Sequence, residues 1–208
     1  MDLKEYFPET DNDPDAQYRS FIAHRHWGRD NLAASRKPTI AMVHSYCFGG
    51  AFMSLCNCDI VITAEDATFG LLEINWGIIP AGLVSKVFVD HASMRGALFY
   101  AMTGSTFDVK KAVEMKLANL AVPADMLRDE TVALARELMG KNPVALAFTK
   151  QAMRNVNTMD APQAYEYLMT KIQELMFADP EKTRNLGIEE FIDKKTYRPG
   201  LEAVKRPE

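Results

Sequence analysis

Apolar residues in the first half of the chain fall into short runs that are separated by turns and helical patterns. The runs cover residues 39–43, 59–63 and 67–70, and a helical pattern covers residues 51–56. Runs this short and this apolar are typical of strands that are buried on both faces of a sheet. Short strands that alternate with helices predict an α/β fold, not a bundle or a sandwich.

Longer patterns with helical spacing dominate the second half of the chain. Helices are predicted over residues 83–92, 94–103, 108–116, 125–139, 160–178 and 181–194, and one further strand over residues 119–122. Pro143 follows Asn142, a pair that favours the start of a helix. We therefore expect a core over residues 1–140 and an all-helical region over residues 141–208. Near the N-terminus we expect a loop over residues 8–16 and a helix over residues 17–36.

Composition narrows the class of protein. The 208 residues are 48% hydrophobic and 25% charged, with a net charge of −4, which excludes a mainly disordered chain and argues against a nucleic-acid-coating protein. No apolar stretch is long enough to cross a membrane and the acidic N-terminus is unlike a signal peptide, so we expect a soluble cytoplasmic protein. Three cysteines, Cys47, Cys56 and Cys58, predict neither a disulfide framework nor a zinc site.

Gly49 and Gly50 lie between a predicted strand and a predicted helix. Glycine allows a sharp turn and the close approach of another group. The first N–H groups of a helix lack internal partners, so this junction predicts a site for an oxyanion. Tight packing without any ligand is the alternative interpretation of the same pattern.

Glu73 is the one carboxylate in the otherwise apolar segment of residues 70–80. Burial raises the pKa of a carboxyl group, and a raised pKa suits proton transfer near neutral pH. The alternative is a structural Glu that caps a turn or pairs with Lys86 or Arg95. His24 and His26, on either side of Arg25, are predicted to lie on a solvated helix surface.

The segment KPTIAMVHSYCFGGAFMSLCNCDIVITAEDATFGLLEINWGIIPAG, residues 37–82, resembles the centre of the crotonase (enoyl-CoA hydratase/isomerase) superfamily. The resemblance rests on KP-x-IA-x-V, the glycine pair, CDI-x-I-x-A, A-x-FG-x-x-E and G-I-x-P, in that order. The flanking strings MDLKEYF, EINWGIIPAGLVSKV and YRPGLEAVKR are similar to the 4-hydroxycinnamoyl-CoA (feruloyl-CoA) hydratase/lyase branch.

This resemblance implies a ββα spiral with its opening strands missing, followed by a helical region that builds homotrimers or dimers of trimers. It implies an acyl-CoA substrate, no metal, and no cofactor beyond the coenzyme A of the substrate. The backbone N–H groups of Gly50 and Met1 would hold the thioester oxygen, and Glu73 would handle water and protons. Lys4, Tyr6, Gly49 and Trp76 are the expected substrate-binding residues, although Trp76 is equally well interpreted as a core aromatic.

Two positions depart from the family pattern. Met53 stands where many relatives carry a second glutamate and this branch carries a serine, and Met169 stands where a tyrosine is expected. Methionine relays no proton, which disfavours a mechanism with two glutamates. The leading hypothesis is hydration and retro-aldol cleavage of a hydroxycinnamoyl-CoA. The alternatives are a generic enoyl-CoA hydratase or isomerase and a non-catalytic scaffold subunit.

Overall fold

The computed structural model describes residues 3–196 and residue 198, and it divides the chain into two compact units. The first unit holds the residues up to Ser35 together with Thr39–Thr131. The second unit holds Arg36–Pro38 together with the residues from Val132 onward. Helix α8 (Leu127–Met139) contributes residues to both units.

The first unit contains six short strands and seven complete helices among the described residues. The strands are β1 (Ile40–Val43), β2 (Tyr46–Phe48), β3 (Ile60–Ala64), β4 (Thr68–Gly70), β5 (Thr106–Asp108) and β6 (Leu120–Val122). The helices are α1 (Leu3–Thr10), α2 (Pro14–Arg25), α3 (Leu32–Ala34), α4 (Ala51–Asn57), α5 (Val84–His91), α6 (Met94–Thr103) and α7 (Val109–Glu114). A π-helical segment, His26–Asn31, joins α2 to α3, and a 3-10 helix, Glu73–Trp76, follows β4.

The six strands form two small sheets. In the first sheet β3 lies between β1 and β6, and both pairings are parallel. In the second sheet β4 lies between β2, which is parallel to it, and β5, which is antiparallel. The glycine pair follows the end of β2, and Glu73 follows the end of β4. Because parallel neighbours end at the same edge of a sheet, this pairing brings the two predicted features to one place.

Four phenylalanines form the centre of the core of the first unit. Phe52 of α4 and Phe88 of α5 pack edge to face, with ring centroids 5.0 Å apart. Phe69 of β4 and Phe107 of β5 stack with centroids 5.7 Å apart. All four rings are buried, and each contributes about 1.5–3 kcal/mol of hydrophobic stabilisation. This core fixes α4, and therefore the glycine pair before it, against the second sheet.

Helices and the turns between them form the second unit, and no strand occurs in the part of it that the structure describes. Its complete helices are α9 (Pro143–Val156), α10 (Ala161–Ala178) and α11 (Thr183–Ile188), and a π-helical segment, Glu189–Asp193, follows α11. Asn142 caps α9: its side chain accepts a bond from the Ala145 N–H and donates to Asp179 and Thr183. This buried amide ties the start of α9 to the segment between α10 and α11.

The predicted α/β class is confirmed, and four of the six strands match predicted ones. Strands β2 and β5 were not predicted. Each has only three residues and lies beside a glycine or a serine, so neither shows a detectable alternation of apolar and polar residues. The prediction of a loop over residues 8–16 is wrong, since α1 continues through Pro8 and α2 begins at Pro14, capped by the Asp13 carboxylate. The prediction that the first strand is buried on both faces is also wrong, because Met42 in β1 is 43% exposed.

The domain boundary after residue 140 stays a prediction, as does a role for the helical region in oligomerisation. The contact-based division lies earlier, between Thr131 and Val132. Across the described part of the chain, none of the helices combines the length and the apolar character that a membrane span requires.

Candidate active site

The turn after β2 is built by the glycine pair. Gly49 has a φ of +51°, in the left-handed region that favours glycine, and its N–H donates to the Gly70 carbonyl at 3.0 Å. Gly50 has helical dihedrals and immediately precedes α4. Among the described residues, no hydrogen bond uses the Gly50 N–H. The turn is therefore held to β4 through Gly49, and the amide of Gly50 is left to bind an acceptor.

Glu73 lies against this turn. A Cβ atom added to Gly49 would be 2.8 Å from Glu73 Oε1, so the carboxyl group occupies the space that a larger residue would need. Glu73 begins the 3-10 helix, and its carbonyl accepts a bond from the Ile78 N–H at 3.2 Å. The strand β4 and this short helix together direct the side chain onto the glycine pair.

The second carboxyl oxygen of Glu73 lacks a partner within the described part of the chain. Glu73 Oε2 is buried and makes no hydrogen bond to any described residue. Burial raises the pKa of the Glu73 carboxyl above its ordinary value. The alternative of an ion pair with Lys86 or Arg95 is therefore wrong, and Lys86 instead pairs with Asp90 one turn along α5. A carboxyl group of this kind can accept and return a proton near neutral pH.

Three aromatic side chains, from α1 and from the 3-10 helix that begins at Glu73, contact one another. Phe7 of α1 stacks on Trp76 of the 3-10 helix with centroids 6.2 Å apart, and Tyr6 meets Phe7 edge to face at 5.4 Å. Trp76 is 63% exposed, so its interpretation as a core aromatic is wrong. Sequence reasoning missed Phe7, which joins the two predicted aromatic residues. Its place directly after Tyr6 was the available signal.

The remaining predicted site residues are placed differently. Lys4 is exposed on α1, and Met1 lies outside the described residues. Met169 is half exposed on α10 in the second unit. Within the described part of the chain, no group of three His, Cys, Asp or Glu side chains is arranged to hold a metal ion.

The first turn of α4 carries no polar group into the site. Met53 is fully buried, and its sulfur and methyl group lie 3.5 and 3.6 Å from the Cβ positions of Gly28 and Gly82. Ser54 Oγ lies 3.0 Å from the Cβ position of Gly28, so Ser54 faces the π-helical segment. Both side chains are therefore packing groups between helices.

A histidine that sequence reasoning placed on a solvated helix surface contacts the second glycine. His24, half-buried near the end of α2, places Cε1 3.2 Å from the Cβ position of Gly50. The prediction that His24 lies on a solvated surface is therefore wrong. The contact joins residues far apart in the sequence, so no local pattern signals it.

Comparisons with known proteins agree with this geometry. The family model described as enoyl-CoA hydratase/isomerase matches residues 1–198. The chain is 45% identical over 207 residues to a hydroxycinnamoyl-CoA hydratase-lyase of Pseudomonas fluorescens, covering 99% of this chain and 75% of that protein. It is 29% identical to a 2,3-dehydroadipyl-CoA hydratase of Escherichia coli K12, covering 82% of this chain and 65% of that protein.

The fold is shared with solved structures. An enoyl-CoA hydratase from Polaromonas sp. JS666 superposes with a TM-score of 0.83 at 22% identity, covering 95% of this chain and 75% of that chain. Likeness at this identity establishes the fold alone, and the family match extends over nearly the whole sequence. The chain therefore belongs to the enoyl-CoA hydratase/isomerase family, and its fold is the crotonase fold.

Proposed function

We propose that this protein is an acyl-CoA hydratase/lyase that converts a 4-hydroxycinnamoyl-CoA, such as feruloyl- or p-coumaroyl-CoA, into an aromatic aldehyde and acetyl-CoA. The observation that carries the proposal is the half-buried Glu73 side chain, which lies against Gly49 and whose buried Oε2 atom makes no hydrogen bond to any described residue. The similarity to the Pseudomonas fluorescens hydratase-lyase over 99% of the chain supports the choice of substrate.

In the first step Glu73 accepts a proton from water, whose oxygen adds to Cβ of the side-chain double bond. The electron pair moves through Cα onto the thioester oxygen, which becomes an enolate oxygen. The Gly50 N–H is positioned to stabilise that charge, and the loss of one such donor typically costs about 3–4 kcal/mol. The predicted second donor is the Met1 N–H. Glu73 then returns the proton to Cα, which completes hydration.

In the second step Glu73 removes the proton from the new hydroxyl group on Cβ. The Cα–Cβ bond breaks, the aldehyde carbonyl forms, and the electron pair passes to the enolate of acetyl-CoA, which takes the proton from Glu73. The sum is one water consumed and two products released, with the carboxyl returned to its starting state. These steps require no cofactor other than the coenzyme A of the substrate.

The aromatic group formed by Tyr6, Phe7 and Trp76 is the proposed contact for the substrate ring. An exposed Trp76 face stacked on Phe7 offers a flat apolar surface, and the Tyr6 hydroxyl offers a hydrogen bond to a phenol. Lys4 and Gly49 are the other proposed substrate contacts. Assembly into homotrimers or dimers of trimers and a cytoplasmic location stay predictions.

The test is an assay of purified protein with feruloyl-CoA and crotonyl-CoA, following aldehyde, acetyl-CoA and hydrated product. Aldehyde release from feruloyl-CoA is the expected result. Water addition to crotonyl-CoA alone would replace the proposal by a generic hydratase, and absence of turnover with either substrate would favour a scaffold subunit.

Glu73→Gln keeps the shape of the side chain and removes the base. We expect kcat to fall about 10²–10⁴-fold while the thioester still binds. The matched control is Glu65→Gln, which alters an exposed glutamate at the end of β3 and should leave turnover unchanged. Undiminished turnover in Glu73→Gln would contradict the assignment of Glu73 as the base.

A further inference from the structure

His24 lies against the glycine whose amide is free to bind an acceptor. Its Cε1 and Nε2 atoms lie 3.2 and 3.8 Å from the Cβ position of Gly50, and no other described residue comes within 4 Å of that position. Since Cβ is about 2.5 Å from the amide nitrogen of its own residue, Nε2 is at most about 6.3 Å from the Gly50 nitrogen. An oxygen bound by that amide could therefore lie within hydrogen-bonding reach of the imidazole.

The imidazole has hydrogen-bonding capacity that the described residues leave unused. Neither ring nitrogen of His24 is bonded to another described residue. A half-buried polar group without a protein partner is completed by water or by a ligand. His24 differs in this respect from His91 of α5, whose Nδ1 lies 2.8 Å from the Val87 carbonyl.

Each glycine of the pair is contacted by a different polar side chain. The Glu73 carboxyl touches Gly49 and the His24 imidazole touches Gly50. Helix α4 supplies no alternative, because Met53 and Ser54 are both directed into the packing of the helices. An acyl group bound at the Gly50 amide would therefore lie close to both the Glu73 carboxyl and the His24 imidazole.

We propose that His24 is a further catalytic residue, whose imidazole N–H donates a hydrogen bond to the thioester oxygen beside the Gly50 N–H. This inference rests on the proposed function, because it assumes that the thioester oxygen binds at Gly50. A hydrogen bond from His24, in addition to those from the Gly50 and Met1 N–H groups, strengthens as the enolate charge develops, so it lowers the barrier more than it tightens substrate binding. His24 would accordingly affect kcat more than KM.

Kinetics of three variants provide the first test. His24→Phe keeps a flat ring against Gly50 without a donor, and we expect kcat for feruloyl-CoA to fall about 10²-fold with little change in KM. His24→Gln keeps an N–H donor and should recover about tenfold of that loss. The matched control His26→Gln changes an exposed histidine two residues away and should match the wild type. A wild-type kcat in His24→Phe would overturn the proposal and leave His24 as a packing group.

Histidine NMR provides a test that needs no turnover. The full chain is labelled with ¹³C at histidine Cε1, the His24 resonance is assigned with His24→Gln, and the protein is titrated with acetyl-CoA or with free CoA. We expect acetyl-CoA to shift the His24 resonance more than free CoA does. Saturation with acetyl-CoA without a shift would overturn the role of His24 alone. A shift without aldehyde release from feruloyl-CoA would overturn the proposed function alone, and failure to bind any CoA thioester would overturn both.

Discussion

The substitution Gly49→Ala is expected to lower both the stability of the protein and its turnover rate, for two separate reasons. Gly49 has a φ of +51°, and the Cβ of alanine would stand 2.8 Å from Glu73 Oε1. The substitution therefore does two things at once. It places an L-residue in the left-handed region, and it pushes the end of the Glu73 side chain away from the turn.

The two effects have different sizes. A left-handed conformation costs an L-residue about 1–2 kcal/mol, which for a chain of this length lowers Tm by roughly 2–8 °C. To regain ordinary contact, Glu73 Oε1 must retreat from 2.8 Å to at least 3.4 Å. This movement at the end of a flexible side chain costs little stability. A misplacement approaching 1 Å is worth up to about 10²-fold in rate, so we expect kcat to fall about 10–10²-fold.

The control is Gly77→Ala, because Gly77 has a φ of +72° and its Cβ would meet nothing within 4 Å. Thermal unfolding and steady-state turnover are measured on both variants. We expect similar decreases in Tm and a much larger loss of kcat in Gly49→Ala. If both variants kept the same kcat, the contact between Gly49 and Glu73 would have no catalytic role.

Three further predictions concern stability and reactivity. Burial raises the pKa of Glu73 above 4.5, so the stability that its neutral form contributes is present at low pH and is lost as the pH rises through the raised pKa. The Tm of Glu73→Gln should therefore rise relative to that of the wild type as the pH increases from 4.5 through the raised pKa of Glu73, and a Tm difference that is independent of pH would contradict this. Asn142→Ala should lower the free energy of unfolding in urea by about 2–3 kcal/mol, because it removes a helix cap and the hydrogen-bond donor to Asp179. A decrease below about 0.5 kcal/mol would contradict the role of a buried, hydrogen-bonded amide. Burial raises the pKa of the Cys47 and Cys56 thiols to about 12, so mass spectrometry should find iodoacetamide adducts on them only after unfolding, and labelling of the folded protein would contradict their burial.

The meeting of the glycine pair with Glu73 was predictable because each feature follows directly from a strand. Gly49 and Gly50 follow β2, Glu73 follows β4, and these strands are parallel neighbours. The sequence motif marks both features, and a carboxylate in an apolar segment signals its own burial. Local sequence patterns were therefore sufficient to predict that Glu73 lies beside the glycine pair.

Contacts between distant segments were not predictable in the same way. His24 belongs to α2, a helix without a buried residue, so its sequence has no strong apolar face that would orient it. Only the packing of the chain shows that its imidazole lies on Gly50. Phe7 was missed for a related reason, because its stacking partner Trp76 is 69 residues away in the sequence.

Two unfavourable features of this molecule meet at a single contact. The great majority of buried polar atoms in folded proteins have a hydrogen-bond partner, and Glu73 Oε2 has none among the described residues. The Glu73 side chain lies against Gly49, which has a positive φ, and its Oε1 atom is 2.8 Å from the position that a Cβ atom of residue 49 would take. Folding alone would favour a paired or apolar side chain here. A neutral carboxyl group tolerates this site better than a charged one does, and this preference raises the pKa of Glu73 and so favours its taking a proton from water before returning it to the substrate.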